Sequence, residues 1–249
     1  MTKHLTIVFC LIFLISCNTK SYQVESRFDN GNYQIIYRKL NDTTINGFSF
    51  QQKFKVKFSD NGDTLRKGKY INDMAIASHK FYESNKIVCE RNYVMFDEWT
   101  LDLINNIDSL NFKKYGIRKD STYLNEAKYY DENGQLIIDK SNFYTAKLNQ
   151  SEYKVGDSII SDFKFYYPDF KIIKTDFYYQ VPTDTSMVTM SLNNYKDNHR
   201  YANKIEEQNF NAIKGLVDIL VYDENLPKDN EYAYLKRLIL IEEQFLMEK

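Results

Sequence analysis

The chain has 249 residues and carries 33 Lys and Arg against 34 Asp and Glu, a formal net charge of −1. That balance excludes the basic footprint of a protein whose main partner is nucleic acid. Tyr (21) and Phe (17) are abundant while Gly (8) and Pro (3) are scarce, which excludes a disordered chain and favours strands packed by aromatic side chains.

Residues 1–16 read as an export signal. Lys3 and His4 precede an apolar run that ends at Ile15. The run is too short and wrongly flanked to span a bilayer. Its end, Leu14-Ile15-Ser16-Cys17, resembles a lipobox, the site where a bacterial signal peptidase cuts before a lipid-modified cysteine. The resemblance implies that Cys17 is the lipid-bearing first residue of the mature protein and that residues 17–21 form a polar tether. It also implies a place outside the cytoplasm, anchored by lipid in the cell envelope, at the Gram-negative outer membrane. More than one acyl chain, at about 0.8 kcal/mol per buried CH₂, makes a stable anchor. Cys10 then leaves with the signal and Cys17 is acylated. Only Cys89 remains, and stability must come from the core rather than from a disulfide.

Residues 22–148 read as an antiparallel hairpin sheet. An aromatic residue leads into an acidic Asn-Gly turn at Phe28–Gly31, Phe58–Gly62 and Tyr130–Gly134, with a degenerate copy at Tyr82–Lys86. Asn-Gly between alternating runs predicts a type I′ hairpin turn, which needs positive φ at both central residues. Asn61, Asn85 and Asn133 are spaced by multiples of one interval, which suggests a repeating unit with one copy obscured near residue 109. In the strand around Phe54, Val56 and Phe58 the apolar residues face one way and Lys53, Lys55 and Lys57 the other. Strands are also expected at Tyr33–Leu40, Ala75–Tyr82, Lys86–Tyr93, Thr122–Tyr130 and Gln135–Tyr144. Trp99, Leu103, Ile107 and Leu110 have helical spacing, and Asp97 is a suitable N-cap, so 98–110 is expected as a short helix.

The stretch Lys128–Leu136 and its copy Phe58–Leu65 resemble the MORN-type repeats of Gram-negative lipoproteins. In those repeats a Tyr-rich strand, an Asn-Gly turn and a return strand are strung into a long single-layer sheet. The resemblance covers at most residues 22–148. Gly68 stands where the family places a Gly near the end of a return strand, whereas Asp139-Lys140 follow the other copy. The resemblance implies architecture and a binding role, and it brings no catalytic residues.

Asn149–Glu152 reads as a polar linker, and residues 153–249 as a β-sandwich-like domain. Strands are expected at Phe163–Tyr167, Lys171–Val181, Met187–Leu192, Leu216–Tyr222 and Tyr234–Phe245. The last of these also has the spacing of a helix face, and Asn198–Ile213 reads as a helix or a long loop. The fold class is thus mostly β: a hairpin-repeat sheet with one short helix, then a sandwich-like domain.

Signatures of known sites are missing. There is no G-x-G-x-x-G, H-E-x-x-H or G-x-S-x-G, and Gly62…Gly68-Lys69-Tyr70 misses the phosphate-loop spacing and its Ser or Thr. Beyond the signal, His79, His199 and Cys89 cannot make a structural zinc site, and neither metal nor cofactor is expected. A three-residue turn at Tyr82–Lys86 would set His79 opposite Cys89 as a nucleophilic pair, while a two-residue turn would separate them and leave Cys89 structural. Glu206-Glu207 and Glu242-Glu243 are sequence neighbours that point to opposite faces of a strand. Asp63-Thr64-Leu65, Asp108-Ser109-Leu110 and Asp157-Ser158-Ile159 resemble O-glycosylation sites of exported Gram-negative proteins, making Thr64, Ser109 and Ser158 candidates, although Asp-Ser/Thr also simply favours turns. Tyr129-Tyr130, Tyr166-Tyr167 and Tyr178-Tyr179 each place an aromatic outside one layer, where it can pack in a sandwich, stack on sugars or anchor a partner. The expected function is non-catalytic binding or scaffolding of an envelope protein or glycan. A glycan-binding surface lipoprotein and an enzyme with a cleft between the two domains are the alternatives.

Overall fold

The computed structural model describes residues 22–27, 33–107, 116–167, 171–180, 187–192, 199–206, 211–222 and 234–248. The expected signal, Cys17, Asn30-Gly31 and Ser109 lie outside the described residues.

The protein is mostly β, with antiparallel sheets and, among the described residues, one α-helix. The first part contains β1 (Gln23–Arg27), β2 (Tyr33–Lys39), β3 (Thr43–Ile45), β4 (Phe48–Phe50), β5 (Gln52–Ser59), β6 (Thr64–Ile71), β7 (Met74–Glu83), β8 (Lys86–Val94), α1 (Glu98–Ile107) and β9 (Tyr123–Tyr129). Seven of these strands form one antiparallel sheet in the order β1-β2-β5-β6-β7-β8-β9. Gln34–Arg38 in β2 and all of β5 are half-buried residue by residue, so neither face of these strands is roofed by a packed layer. Cross-strand pairs stabilise such a sheet. Lysine and arginine stems lie along its rings: Lys53 Nζ is 5.0 Å from the Tyr37 ring centroid, Lys55 Nζ 5.0 Å from Tyr70, and the Arg66 guanidinium carbon 4.8 Å from Phe81. Each contact is worth about 0.5–1 kcal/mol at an exposed site.

Turn chemistry sets the register. Ser84 and Asn85 have φ of 47° and 63° and join Glu83 to Lys86 in a two-residue turn. Asn46-Gly47, between β3 and β4, is also positive at both positions, with φ of 51° and 78°. The expectation of a type I′ turn at Asn61-Gly62 and Asn133-Gly134 is corrected: only the glycines are positive, at 86° and 79°. There the Asp131 amide donates to the Gln135 carbonyl and the Gly134 amide to the Asp131 carbonyl. This is the pattern of a longer loop closed by a left-handed glycine. The Asp131 side chain favours it by accepting from the Asn133 and Gln135 amides at 2.9 and 2.8 Å.

Three hairpin tips line one end of the sheet. Asn85 Nδ2 donates to Asp63 Oδ1 (3.0 Å) and Lys86 Nζ to the Glu132 carbonyl (2.9 Å). The copy expected near residue 109 lies outside the described residues; between β8 and β9 the described residues carry α1. Asp97 caps α1, accepting from the Thr100 amide (2.9 Å) and hydroxyl (2.6 Å). Its buried face is Thr100, Leu101, Leu103 and Ile104, with Trp99 and Ile107 at the margins.

Two expected segments are corrected. Gln135–Tyr144 is not a continuous strand: Leu136 makes a single bridge to Tyr130, and Ile138–Lys140 form a 3-10 turn. Ser141 causes the break by donating its hydroxyl to the Ile137 carbonyl (2.6 Å) while accepting from the Tyr129 amide (3.0 Å). Asn198–Ile213 contains a strand rather than a helix or a long loop.

The second part contains β10 (Phe143–Leu148), β11 (Glu152–Tyr153), β12 (Ser158–Tyr166), β13 (Lys171–Gln180), β14 (Met187–Leu192), β15 (His199–Lys204), β16 (Ala212–Tyr222), β17 (Tyr234–Gln244) and β18 (Leu246–Met247). A three-stranded sheet, β10-β12-β15, faces a four-stranded sheet, β14-β13-β16-β17. Between them lie Ile159, Phe163, Phe177, Tyr201, Val217, Ile219, Ile239 and Ile241. The run expected as strand or helix at the C-terminal end is strand. The stretch 149–152, read as a linker, lies between β10 and β12, which pair with one another. Asn149 fixes it, since its Oδ1 accepts from the Tyr153 hydroxyl (2.7 Å) and the Ile160 amide (2.8 Å). On the outer face of the four-stranded sheet, Leu216, Leu238 and Leu240 pack against α1, so the two parts share a core.

Candidate functional site

A surface cleft of about 670 Å³ lies between two hairpin tips of the seven-stranded sheet, lined by Tyr82, Asn85, Lys86, Ile87, Glu90, Tyr130, Glu132, Asn133 and Gly134. Tyr82 is on β7, Glu90 on β8, and Tyr130 just beyond β9, so two aromatic side chains stand on either side of the central strand. Ile87 pairs with Tyr82 at a bulge in β8 and supplies an apolar floor.

Electrostatics hold the walls. The Tyr130 hydroxyl donates to Glu90 Oε2 at 3.0 Å, and Lys80 Nζ lies 2.9 Å from Glu90 Oε1. Burial works against ionisation of Glu90, but the bonds from Lys80 and Tyr130 outweigh it and hold its carboxyl below the usual range. Burial and the neighbouring Glu90 charge push Tyr130 up to about 12, so its hydroxyl keeps the proton it donates. Lys67 Nζ, coming from β6 on the side away from the cleft, lies 5.1 Å from the Tyr82 ring centroid. A carboxylate has about four acceptor positions. Glu90 therefore keeps acceptor capacity beside the two rings. The cleft can bind and orient a ligand with an apolar face and hydroxyl groups.

The pair considered for nucleophilic chemistry is separated. The two-residue turn places Phe81 opposite Cys89 and Arg91 opposite His79. His79 is fully buried. Its Nε2 lies 2.7 Å from the Lys69 carbonyl, and Arg66 donates to Nδ1. The ring is thus a neutral Nε2–H tautomer, wedged edge-on between Tyr70 and Tyr93. Burial and the Arg66 charge depress its pKa to about 4. Cys89 is buried.

The remaining candidates are scattered. Thr64 is half-buried at the start of β6, opposite Phe58, and Ser158 is exposed at the start of β12, opposite Lys204. Tyr178 packs against the α1 cluster and Tyr179 against the sandwich core, so that pair serves packing on both faces. Tyr166 stacks on Phe143 with centroids 4.4 Å apart. Of the three tyrosine pairs, Tyr130 alone enters the cleft. Glu242 is exposed, while Glu243 is half-buried and bonded to Tyr144. Among the described residues no group of three or more His, Cys, Asp or Glu is placed to hold a metal ion.

Sequence reasoning missed the partnership of Tyr82, Glu90 and Tyr130. The signal was available in the aromatic residue that stands three residues before the Asn of each turn, Tyr82 before Asn85 and Tyr130 before Asn133. It also missed the buried Asp176 and Asp218, which face each other across β13 and β16. For Asp218 the signature was a charged residue within the apolar run Leu216–Val221.

Comparison with family models, curated proteins and solved structures gave no match. The cleft's own chemistry therefore carries the functional argument.

Proposed function

We propose that this chain is a lipid-anchored lipoprotein of the cell envelope with a non-catalytic binding role, tethered through Cys17, and that its ligand occupies the cleft between the hairpin tips. The observation that supports this reading is the Tyr82–Glu90–Tyr130 arrangement: two aromatic walls, an apolar floor, and a carboxylate fixed by hydrogen bonds rather than free to move a proton. The resemblance to MORN-type repeat lipoproteins points the same way, towards a sheet that binds. Among the described residues no helix is long and apolar enough to cross a membrane.

The alternative of an enzyme working between the two parts has less to rest on. A hollow of about 140 Å³ at that junction is lined by Met95, Asp97, Thr100, Lys214, Leu240, Ile241 and Glu242. Its polar groups serve structure: Asp97 caps α1 and lies 3.7 Å from Lys214 Nζ.

The test compares wild type, Cys17→Ala, and a Tyr82→Ala/Tyr130→Ala double variant in membranes after cross-linking. Cys17→Ala is expected to lose lipid labelling and leave the membrane fraction. The double variant is expected to stay in the membrane and lose cross-linked envelope material. Retention of Cys17→Ala in the membrane would overturn the anchor, and an unchanged cross-linking profile of the double variant would overturn the cleft.

A further inference from the structure

We propose that the cleft holds one neutral pyranose ring of a glycan between Tyr82 and Tyr130, an assignment that rests on the cleft being the binding site.

Width is the first argument. Tyr82 is on β7 and Tyr130 directly follows β9, and these strands flank β8 with their backbones two strand spacings apart, or about 9–10 Å. A ring in van der Waals contact with an aromatic on each side needs about 7–8 Å, twice the usual carbon–carbon contact distance. At the backbone, that spacing has room for one ring and not for two. The C–H face of a pyranose is apolar, as the Tyr82, Tyr130 and Ile87 surfaces require, and its edge carries hydroxyls.

Those hydroxyls have partners. Glu90 already accepts from Tyr130 and Lys80 and retains free lone-pair positions. The exposed side chains of Asn85 and Asn133 stand at the rims, one on each hairpin tip. A carboxylate between two aromatic walls with amides at the mouth can bond equatorial hydroxyls in the plane of a stacked ring.

Charge makes the ligand neutral. Lys67, Lys80 and Lys86 surround the Tyr82 wall and Glu90, which opposes a cationic side chain or a quaternary amine even though tyrosines and a carboxylate would otherwise suit one. Glu90 and Glu132 line the same space and oppose a sulfated or phosphorylated group. A neutral hexose or N-acetylhexosamine avoids both penalties.

The tips also fix the geometry before any ligand arrives. Lys86 spans from the β7–β8 turn to the Glu132 carbonyl, and Asn85 is tied to Asp63. A preorganised slot loses less ordering entropy on binding.

The experiment uses the purified full-length protein in a detergent without sugar headgroups. An array of neutral glycans is probed first. Calorimetric titrations follow with tetramers of β-1,4-linked N-acetylglucosamine, β-1,4-linked glucose and α-1,4-linked glucose, with choline and heparin as charged probes. Binding of a neutral glycan with Kd tighter than about 1 mM is expected, that is, more than about 4 kcal/mol. Tyr82→Ala and Tyr130→Ala are expected to weaken it at least tenfold, and Tyr130→Phe, which keeps the ring, by less. Far-ultraviolet circular dichroism and thermal melting accompany each variant, and Glu90→Gln, which keeps the shape of the wall, provides a second measure if an alanine variant fails to fold. Retention of no neutral glycan by wild type, preference for choline or heparin, or unchanged affinity in both the alanine and Glu90→Gln variants would each overturn the glycan assignment. Loss of cross-linked envelope material from the double alanine variant, alongside a failed glycan screen, would overturn the glycan and leave the cleft as a binding site for another partner.

Discussion

Asn125 on β9 and Leu240 on β17 are bonded to each other twice: Asn125 Nδ2 donates to the Leu240 carbonyl at 2.9 Å, and the Leu240 amide donates to Asn125 Oδ1 at 2.7 Å. The side-chain amide reproduces what a neighbouring strand would supply to the edge of the four-stranded sheet. It joins the two parts of the chain at a point where Asn125 is only 4% exposed. Asn125→Ala leaves two backbone groups unpaired and is expected to cost about 2–6 kcal/mol, at about 1–3 kcal/mol for each stranded group. Urea unfolding followed by circular dichroism measures this. A midpoint unchanged within error would mean that water substitutes fully for the amide.

His79 and Gly68 form a second coupled pair. A Cβ at Gly68 would lie 2.4 Å from His79 Nδ1, and the ring cannot move aside because both nitrogens are bonded and two tyrosines flank it. Gly68→Ala is expected to destabilise the protein by about 1–3 kcal/mol through overpacking. A thermal shift of less than 1 °C would contradict the clamp.

The same histidine gives a pH dependence. Its folded pKa, about 4, is below the ordinary value of 6.5, so the unfolded chain binds a proton more readily than the folded one between these values. The contribution is fully present above pH 6.5 and is lost as the pH falls towards 4, by about 3 kcal/mol in total. Titration of the His79 ring by nuclear magnetic resonance should show a midpoint near 4. A midpoint near 6.5 would refute the burial argument.

The legibility of this fold follows the distinction between local and non-local causes. Alternation around Phe54, Val56 and Phe58 and the cap at Asp97 act within a few residues, and strand and helix appear where they were expected. Asn133-Gly134 was readable as a turn but not as its type, because Asp131 chooses the longer loop by accepting two amides. Gln135–Tyr144 has a strand-like composition, yet Ser141 captures the Tyr129 amide and the Ile137 carbonyl and breaks the ladder. Asn149–Glu152 is polar enough to look like a linker, but Tyr153 and Ile160, four and eleven residues beyond Asn149, fix it between paired strands. The cleft depends on Tyr82, Glu90 and Tyr130 meeting across 48 residues, which only the register of three strands can arrange.

Glu243 offers a test with the opposite sign. Burial, and then the nearby Glu126 charge, raise its carboxyl above the usual range, while Tyr144 partly offsets this. The folded state then holds the proton more tightly than the unfolded one. Its contribution is fully present below the ordinary carboxyl value and is lost as pH rises through the raised one. Glu243→Gln keeps a hydrogen-bonding side chain and removes the charge. It is expected to raise Tm at pH 7 and to leave it nearly unchanged at pH 3.5. A lower Tm at pH 7 would show that the ionised Glu243 stabilises the junction.

Gly134 joins turn chemistry to the cleft. Its φ is +79°, and no atom lies within 4 Å of where a Cβ would stand, so a side chain there meets backbone strain rather than a steric clash. Gly134→Val puts a β-branched residue into the left-handed region and is expected to cost about 1–3 kcal/mol. Gly134→Asn should cost less, because asparagine enters that region readily. Gly156 is not a tolerant comparison, because it too has a positive φ, +99°, and a valine there should be strained as well. Gly134→Asn against Gly134→Val is the cleaner contrast, since both fill the same open space and differ in backbone preference. The loss in the valine variant should be seen twice. Thermal melting should fall relative to asparagine, and the Lys86–Glu132 bridge across the cleft should loosen, exposing the Glu132 and Asn133 amides to faster hydrogen exchange. Equal melting of the two variants would mean that the turn at residues 131–135 relaxes without strain, and it would remove this tip as the fixed wall of the cleft.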